Sequence, residues 1–198
     1  MSLSCSTLSQ GLDRDRIERL AADAERIARP HLRGAGAGFE GLITADPHRA
    51  HEALLRLRDG ATSFLELGCG HGLITVMADL LGFDACGIEI RPDLLQAAEE
   101  LARLHRARPR FVQGSYLPDD RDLMELVDPD FAISEDGAHS AWDEVRLSDF
   151  DVVYVFPWPS EEELFQELVR RRGRRGQRLL TYHAQDGFVI HPGGDRLA

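Results

Sequence analysis

The chain has no excess of basic residues. Its 198 residues include 23 basic and 34 acidic side chains, which gives a formal net charge of −11. All the basic residues are arginines and no lysine occurs, a bias to which we attach no functional meaning. Because nucleic acids and anionic membranes attract basic surfaces, this charge works against non-specific binding to either. The charge balance favours a soluble protein with a small or basic partner.

Cysteine is scarce, and long apolar runs are missing. Cys5, Cys69 and Cys86 share no metal-ligand or C-x-x-C spacing, which argues against a disulfide framework and indicates a reducing compartment. No run approaches the ~18 apolar residues of a membrane span. Residues 1–10 lack the charged start and apolar middle of a signal peptide. We therefore expect a cytoplasmic protein with no membrane segment.

Short apolar runs alternate with helical periodicity along most of the chain. The predicted strands are 64–67, 85–90, 110–113, 150–156 and 178–183. Because parallel strands need a crossover helix, this alternation predicts a mostly parallel sheet covered on both faces. The expected fold class is α/β, a Rossmann-like three-layer α/β/α sandwich.

Helices are predicted between these strands and ahead of them. The predicted helices are 12–28, 47–58, 73–81, 94–106 and 161–172. We expect Pro30 to end the first helix, and Asp46 and Pro47 to provide the N-cap and first residue of the second. Ser160 and Glu163 form a capping-box pattern at the start of the last helix.

We divide the chain into two parts at residue 60. Residues 1–60 hold the N-terminal helices and a glycine-rich stretch, 34–41, and are expected to cap a ligand site. A linker is favoured over a cofactor lid for that stretch. Residues 61–198 form the main domain, with an insertion at 116–149 that is weakly helical near its start. Residues 188–190 are the one short apolar run after the fifth strand, so we expect a shortened C-terminal end of the sheet.

Three glycines, Gly68, Gly70 and Gly72, follow the first strand and precede a helix. Glycine adopts positive φ without steric cost and lets a ligand approach the backbone, so this turn predicts a cofactor site at a helix N-terminus. A dinucleotide site needs the spacing G-x-G-x-x-G, but Leu73 stands where its third glycine would be. The observed G-x-G-x-G spacing therefore argues against a nicotinamide dinucleotide.

Two acidic residues accompany this glycine turn. Glu66 lies two residues before the first glycine, where a carboxylate would repel a pyrophosphate and attract a cation. Glu89 ends the second predicted strand, where it can accept hydrogen bonds from ribose hydroxyls. Together they predict a positively charged nucleoside ligand without phosphates.

With these features the chain resembles the class I S-adenosylmethionine-dependent methyltransferases. The resemblance lies in residues 66–72, 87–89, 113–115 and 151–159, and it covers most of 61–183. It implies S-adenosylmethionine as the cofactor and methyl transfer as the activity.

The resemblance also implies which residues hold the cofactor. The glycine turn would hold the methionine portion, Glu89 the ribose, and Ser115 with Gly114 the adenine edge. Many family members carry aspartate where this chain has Ser115. The implied cofactor-binding residues are Glu66, Gly68, Cys69, Gly70, Gly72, Glu89, Ile90, Gly114 and Ser115.

The methyl acceptor is expected to be a protein side chain or a small metabolite. Residues 150–159 look similar to those of small protein-lysine methyltransferases. They lack the Asn-Pro-Pro-Tyr motif of amino-group nucleic-acid methyltransferases and the acid pair of Mg-dependent O-methyltransferases. The alternatives are an RNA methyltransferase and a non-catalytic S-adenosylmethionine-binding module, which a shortened C-terminal end would suit.

Methyl transfer from a sulfonium is an in-line displacement, for which positioning and one base can suffice. The catalytic candidates at the carboxyl ends of the strands are Trp158, Tyr182 and His183. Trp158 is either a pocket wall or a cover for the core, and His183 is either a base or a hydrogen-bonded structural residue. Tyr154 lies mid-strand, where a core position is favoured.

Two further clusters receive structural interpretations. The acidic and histidine residues of the insertion have no diagnostic ligand spacing, so no metal is predicted for Glu135, Asp136, His139 and Asp143. Six arginines within 170–178 fall at the end of a predicted helix, where cations complement the helix dipole. That interpretation is favoured over an RNA-binding patch.

Overall fold

A computed structural model describes residues 11–32, 44–117, 121–126, 139–158, 161–183 and 185–192. The helices are α1 (Arg14–Leu32), α2 (Pro47–Arg58), α3 (Leu73–Leu80), α4 (Pro92–His105), α5 (Arg121–Met124) and α6 (Glu162–Arg172). The strands are β1 (Ser63–Leu67), β2 (Asp84–Glu89), β3 (Arg110–Gln113), β4 (Val152–Val155), β5 (Arg178–His183) and β6 (Gly187–Pro192). Two short 3-10 turns, Ala141–Asp143 and Leu147–Asp149, precede β4.

All the strands belong to one sheet, in the order β3-β2-β1-β4-β5-β6. The first five strands are parallel, and β6 runs antiparallel to β5. The predicted three-layer, mostly parallel α/β fold is therefore confirmed. The strand order reverses beside β1, and open α/β sheets bind ligands at such a point, beyond the carboxyl ends of the strands.

Helices cover both faces of the sheet. Buried residues of α1 to α4 pack on one face, and those of α5 and α6 pack on the other. Leu20 of α1 and Leu54 of α2 belong to the same buried cluster as Phe64 of β1 and Tyr154 of β4. The two parts of the chain divided at residue 60 therefore share one hydrophobic core.

Two of the differences from the predicted helix bounds lie at prolines. Pro30 lies inside α1, which continues to Leu32, because a proline so near the end of a helix removes only one backbone hydrogen bond. Helix α4 begins at Pro92 rather than Leu94, because the fixed φ of proline suits the first turn of a helix. The predicted N-cap of α2 is confirmed, since Asp46 Oδ1 accepts a hydrogen bond of 2.9 Å from the amide of Arg49.

Strand β6 was not among the five predicted strands, and the apolar run 188–190 is only its middle. Strand β6 pairs with the whole of β5, from Arg178 opposite Pro192 to His183 opposite Gly187. The predictions for the glycine-rich stretch 34–41, for Ser160 in the capping box, and for Glu135 and Asp136 lie outside the described residues.

Asp151 ties the start of β4 to the start of β1. Its Oδ2 accepts hydrogen bonds from the Thr62 amide (2.7 Å), the Thr62 hydroxyl (3.0 Å) and the Ser63 amide (3.1 Å). Partial burial alone would raise the pKa of Asp151, but the hydrogen bonds from Thr62 and Ser63 outweigh it and lower the pKa to about 2. The ionised carboxylate therefore stabilises the fold.

Substituting Asp151→Asn is expected to lower the free energy of unfolding at pH 7 by about 2 kcal/mol. A lowered pKa gives stability that is present above the unfolded-state value and is lost as the pH falls through the folded-state value. The difference from wild type should therefore shrink between pH 4 and pH 2 in thermal unfolding. The exposed Asp149 supplies the control Asp149→Asn. Equal losses from the two variants at pH 7 would contradict this account.

Candidate functional site

The turn after β1 has the backbone that the glycine spacing predicted. Gly68, Gly70 and Gly72 have φ angles of 75°, 54° and 79°. The amides of Gly68 and Cys69 both donate to the carbonyl of Ile88 on β2, at 2.9 and 2.8 Å. Helix α3 then begins directly after Gly72. The turn is thus held at the carboxyl end of the sheet, beside the point where the strand order reverses.

Glu89 is a buried carboxylate that the backbone holds in place. Its Oε2 accepts a hydrogen bond of 2.8 Å from the Gly70 amide, and its Oε1 accepts one of 3.0 Å from the Arg91 amide. Burial raises the pKa of Glu89, and the backbone hydrogen bonds oppose this rise. Each carboxylate oxygen can accept a second hydrogen bond. The side chain is therefore fixed in position and retains acceptor capacity for hydroxyl groups.

Glu66 faces a small cavity of about 50 Å³ at the carboxyl ends of β1 and β4. The cavity is lined by Thr44, Ala45, Glu66, Gly68, Cys69, Gly70, His71, Leu73, Ile74, Tyr154 and Phe156. The Glu66 side chain accepts a short hydrogen bond from the Thr75 hydroxyl on α3. Burial raises the pKa of Glu66 to about 8, and the hydrogen bond from Thr75 opposes the rise.

Three residues near Glu66 or its cavity were not among the site residues predicted from the sequence. Thr75 is the one polar side chain in the buried run 73–78, which is the signal that could have revealed it. Gly87 makes room for that side chain, since a Cβ there would lie 2.8 Å from both Thr75 Oγ1 and Cys69 Sγ. His71 is buried, and burial lowers its pKa to about 4, so its imidazole is neutral at neutral pH.

The returning segment of the insertion lies beside the end of β3. The Ser115 amide donates to the carbonyl of His139, and the Ala141 amide donates to the carbonyl of Ser115, both at 2.9 Å. The Ser115 hydroxyl accepts a hydrogen bond of 3.2 Å from the Leu117 amide. Gly114 is buried and donates its amide to the carbonyl of Glu89 at 3.0 Å. Ser115 and Gly114 are therefore close to Glu89 through the backbone.

Tyr116 covers part of the glycine turn, which the sequence did not indicate. Its ring would lie 3.2 Å from a Cβ placed at Gly68, and it stacks at a tilt on Phe165 of α6 with ring centroids 5.9 Å apart. Burial raises the pKa of this phenol. Ile90, which follows Glu89, is half-buried.

Tyr182 and His183 point to opposite faces of the sheet, as consecutive strand residues do. Tyr182 is 8% exposed and packs edge-on against Phe156, with ring centroids 5.1 Å apart. His183 Nε2 lies 3.1 Å from Thr181 Oγ1 and 3.6 Å from a carboxylate oxygen of Glu162 on α6. The structure therefore does not bring these two candidates together.

Trp158 lies beyond the end of β4 and is 39% exposed. Its amide donates to Glu161 Oε2 at 3.1 Å, and the Glu161 amide donates to its carbonyl at 3.0 Å. These reciprocal bonds join Trp158 to the residue that precedes α6. Tyr154 is 2% exposed and belongs to the core, as favoured above, yet it also lines the Glu66 cavity.

The remaining charged clusters take part in intramolecular contacts. Arg170 and Arg171 both pair with Glu167 in the same helix, and Arg174 pairs with Asp151. Within the described parts of the chain, no group of three or more His, Cys, Asp or Glu side chains could hold a metal ion. None of the helices in those parts is long and apolar enough to cross a membrane.

By sequence, one part of the chain is similar to a methyltransferase. No protein-family model matches the chain. The chain is 39% identical over 66 residues to a ribosomal protein L11 methyltransferase from Thermus thermophilus. That match covers 33% of this chain and 26% of the relative, so it spans about a quarter of the relative's length.

Solved structures extend the likeness to most of the chain. An RNA methyltransferase from Salinibacter ruber in complex with S-adenosyl-L-homocysteine aligns with a TM-score of 0.50 at 21% identity, covering 71% of this chain and 76% of that one. An O-methyltransferase from Bacillus cereus aligns with a TM-score of 0.55 at 14% identity, covering 83% and 65%. At identities this low, the structural matches establish the fold alone. The chain has the class I S-adenosylmethionine-dependent methyltransferase fold. The family resemblance read from residues 66–72 and 87–89 is confirmed at that level.

Proposed function

We propose that the protein is an S-adenosylmethionine-dependent methyltransferase. The observation that carries the proposal is the pair of buried carboxyl groups, Glu66 and Glu89, on either side of a glycine turn at the point where the strand order reverses. Among the described residues that line the Glu66 cavity there is no arginine, so this site suits a cation and not a phosphate. The donor set therefore fits a positively charged nucleoside.

We assign different parts of such a cofactor to different residues. Glu89 has the acceptor capacity that ribose hydroxyls need, and Glu66 offers a carboxyl group to a positive charge. A whole nucleoside needs a pocket of roughly 300 Å³ or more. The cavity of about 50 Å³ therefore takes only the cationic end. Gly68, Cys69, Gly70, Gly72, Ile90, Gly114 and Ser115 complete the proposed binding residues.

The bound cofactor supplies an electrophilic methyl group with a neutral leaving group. Such a displacement gains most from positioning and from exclusion of water. We therefore assign Trp158 to the wall of the acceptor site and leave His183 and Tyr182 as candidates for the base. The reciprocal bonds between Trp158 and Glu161 support the first assignment, because they hold the Trp158 backbone beyond the carboxyl end of β4.

A protein side chain is the acceptor that we favour, with a small metabolite as the alternative. The sequence match to a ribosomal protein L11 methyltransferase supports a protein acceptor. The net charge of −11 disfavours RNA, since phosphates would be repelled.

Calorimetric titration with S-adenosylmethionine and S-adenosylhomocysteine tests the cofactor, and saturable binding of both is expected. Incubation with S-adenosylmethionine carrying a labelled methyl group and cell extract tests the reaction, and label is expected in the protein fraction. Label in the RNA or metabolite fraction would reassign the acceptor. Binding without any labelled product would favour a non-catalytic binding module, and absence of binding would overturn the proposal.

A further inference from the structure

We infer that Glu66 holds a proton in the free protein and releases it when a positively charged group enters the adjacent cavity, so that this carboxyl group selects cationic ligands. This inference rests on the proposed function, because it concerns the same cofactor site. Beyond the proposed function, it states that cofactor binding is coupled to the release of a proton and that Glu66 is the residue that releases it.

The position of Glu66 leaves an ionised carboxylate poorly compensated. The residue is 5% exposed and lies on β1 between Gly87 of β2 and Tyr154 of β4 in the register of the sheet. Among the described residues, the hydrogen bonds to this carboxyl group come from Thr75 alone, from its hydroxyl and from its backbone amide. Both donors are neutral, so the burial of an ionised carboxylate here is costly, and a buried acid in this position keeps its proton.

In the part of the chain that the structure describes, no neighbouring group supplies a compensating positive charge at neutral pH. The titratable or hydrogen-bonding groups around Glu66 are Thr75 on α3, Tyr154 on β4, Cys69 and His71 in the glycine turn, and Glu89 at the end of β2. Burial lowers the pKa of His71 to about 4, which keeps the imidazole neutral. Burial raises the pKa of Glu66 to about 8, with Thr75 opposing the rise and the charge of Glu89 adding to it.

The cavity suits a small cation. A volume of about 50 Å³ admits a group of a few atoms, and aromatic rings of Tyr154 and Phe156 line it together with Glu66. A positive charge brought within contact distance favours the ionised carboxylate by charge attraction. The O–H bond of the Glu66 carboxyl then breaks, the proton passes to the buffer, and an ion pair replaces the neutral acid. The cation is either the ammonium or the sulfonium of the cofactor.

Calorimetry in two buffers of different ionisation enthalpy, phosphate and Tris, counts the protons released. At pH 7, release of about 0.9 proton per S-adenosylmethionine bound is expected from a group that titrates near pH 8. Between pH 6 and 7, below the range where α-amino groups titrate, the affinity should rise about ninefold. Glu66→Gln mimics the neutral acid in shape, so it should bind with no proton release and lose this rise.

Proton release can also be tested in the wild-type protein with a series of ligands that differ in charge. The neutral nucleoside 5′-methylthioadenosine should bind without proton release. Release with both S-adenosylmethionine and S-adenosylhomocysteine would place the ammonium beside Glu66, and release with the former alone would place the sulfonium there. Binding of both cationic ligands without proton release would overturn the inference and leave the proposed function standing. No binding of any of the three would overturn the proposed function itself.

Discussion

Replacing Glu89 by alanine is expected to weaken S-adenosylhomocysteine binding about 100-fold. A hydrogen bond to a charged group contributes about 1.5–3 kcal/mol, so the loss of acceptors for two ribose hydroxyls removes roughly 3 kcal/mol. The substitution also removes the acceptor of the Gly70 amide, which the carboxylate holds at 2.8 Å. Without this acceptor the glycine turn is less ordered in the free protein, and ordering it on binding lowers the affinity further. Titration calorimetry measures the affinity, and a thermal unfolding curve checks that the variant is folded.

Two glutamine variants provide matched controls for this result. Glu89→Gln keeps the shape and one acceptor oxygen, so it should lose less affinity than Glu89→Ala. Glu99→Gln removes one negative charge from an exposed position on α4 and should bind like wild type. If Glu89→Ala also binds like wild type, the ribose assignment is wrong. If Glu99→Gln weakens binding as much as Glu89→Ala, the effect belongs to the overall charge.

The features predictable from the sequence are those set by local spacing. Strands β3 and β5 match their predicted bounds because turn residues delimit both apolar runs, for instance Gly114 after β3. The positive φ angles of the glycine turn follow from the same local rule. Glu89 is placed beside that turn because the ends of adjacent parallel strands meet at one edge of the sheet. Local pattern and strand order together therefore predict where a ligand can bind.

The features that were not predictable depend on contacts between distant segments. The burial of Glu66 against Thr75 requires α3 to pack over β1, with Gly87 leaving space between them. An isolated parallel β-bridge pairs Ser115, just after β3, with Ser140 in the later part of the insertion. No spacing in the sequence predicts this pairing. The separation of Tyr182 from His183 is different, because the alternation of side chains along a strand implies it.

Gly72 shows how one residue of the glycine turn also supports the packing of the fold. A Cβ at this position would lie 2.6 Å from the Cβ of Ala98 on α4 and 3.2 Å from the ring of Phe111. Its φ of 79° is itself strained for any other residue. The third glycine therefore lets α4 approach the start of α3, whatever contact it also makes with a cofactor.

Substituting Gly72→Ala is expected to lower the free energy of unfolding by about 3 kcal/mol, measured by urea denaturation. About 1 kcal/mol comes from the left-handed backbone and about 2 kcal/mol from overpacking against Ala98. Gly176 isolates the first contribution, because its φ is 80° and a Cβ there would meet nothing within 4 Å. Gly176→Ala should therefore cost only about 1 kcal/mol.

A double-mutant cycle with Ala98→Gly separates the clash from other effects of the substitution at Gly72. The single change Ala98→Gly should cost about 1 kcal/mol, as for glycine in a helix interior. In the Gly72→Ala background it removes the nearest atom. The double variant should therefore lose less stability than the sum of the two single losses, by about 1 kcal/mol or more. Strict additivity would mean that the two residues do not clash. The cost at Gly72 would then come from the backbone and from Phe111, and α4 would have room to move away from the glycine turn.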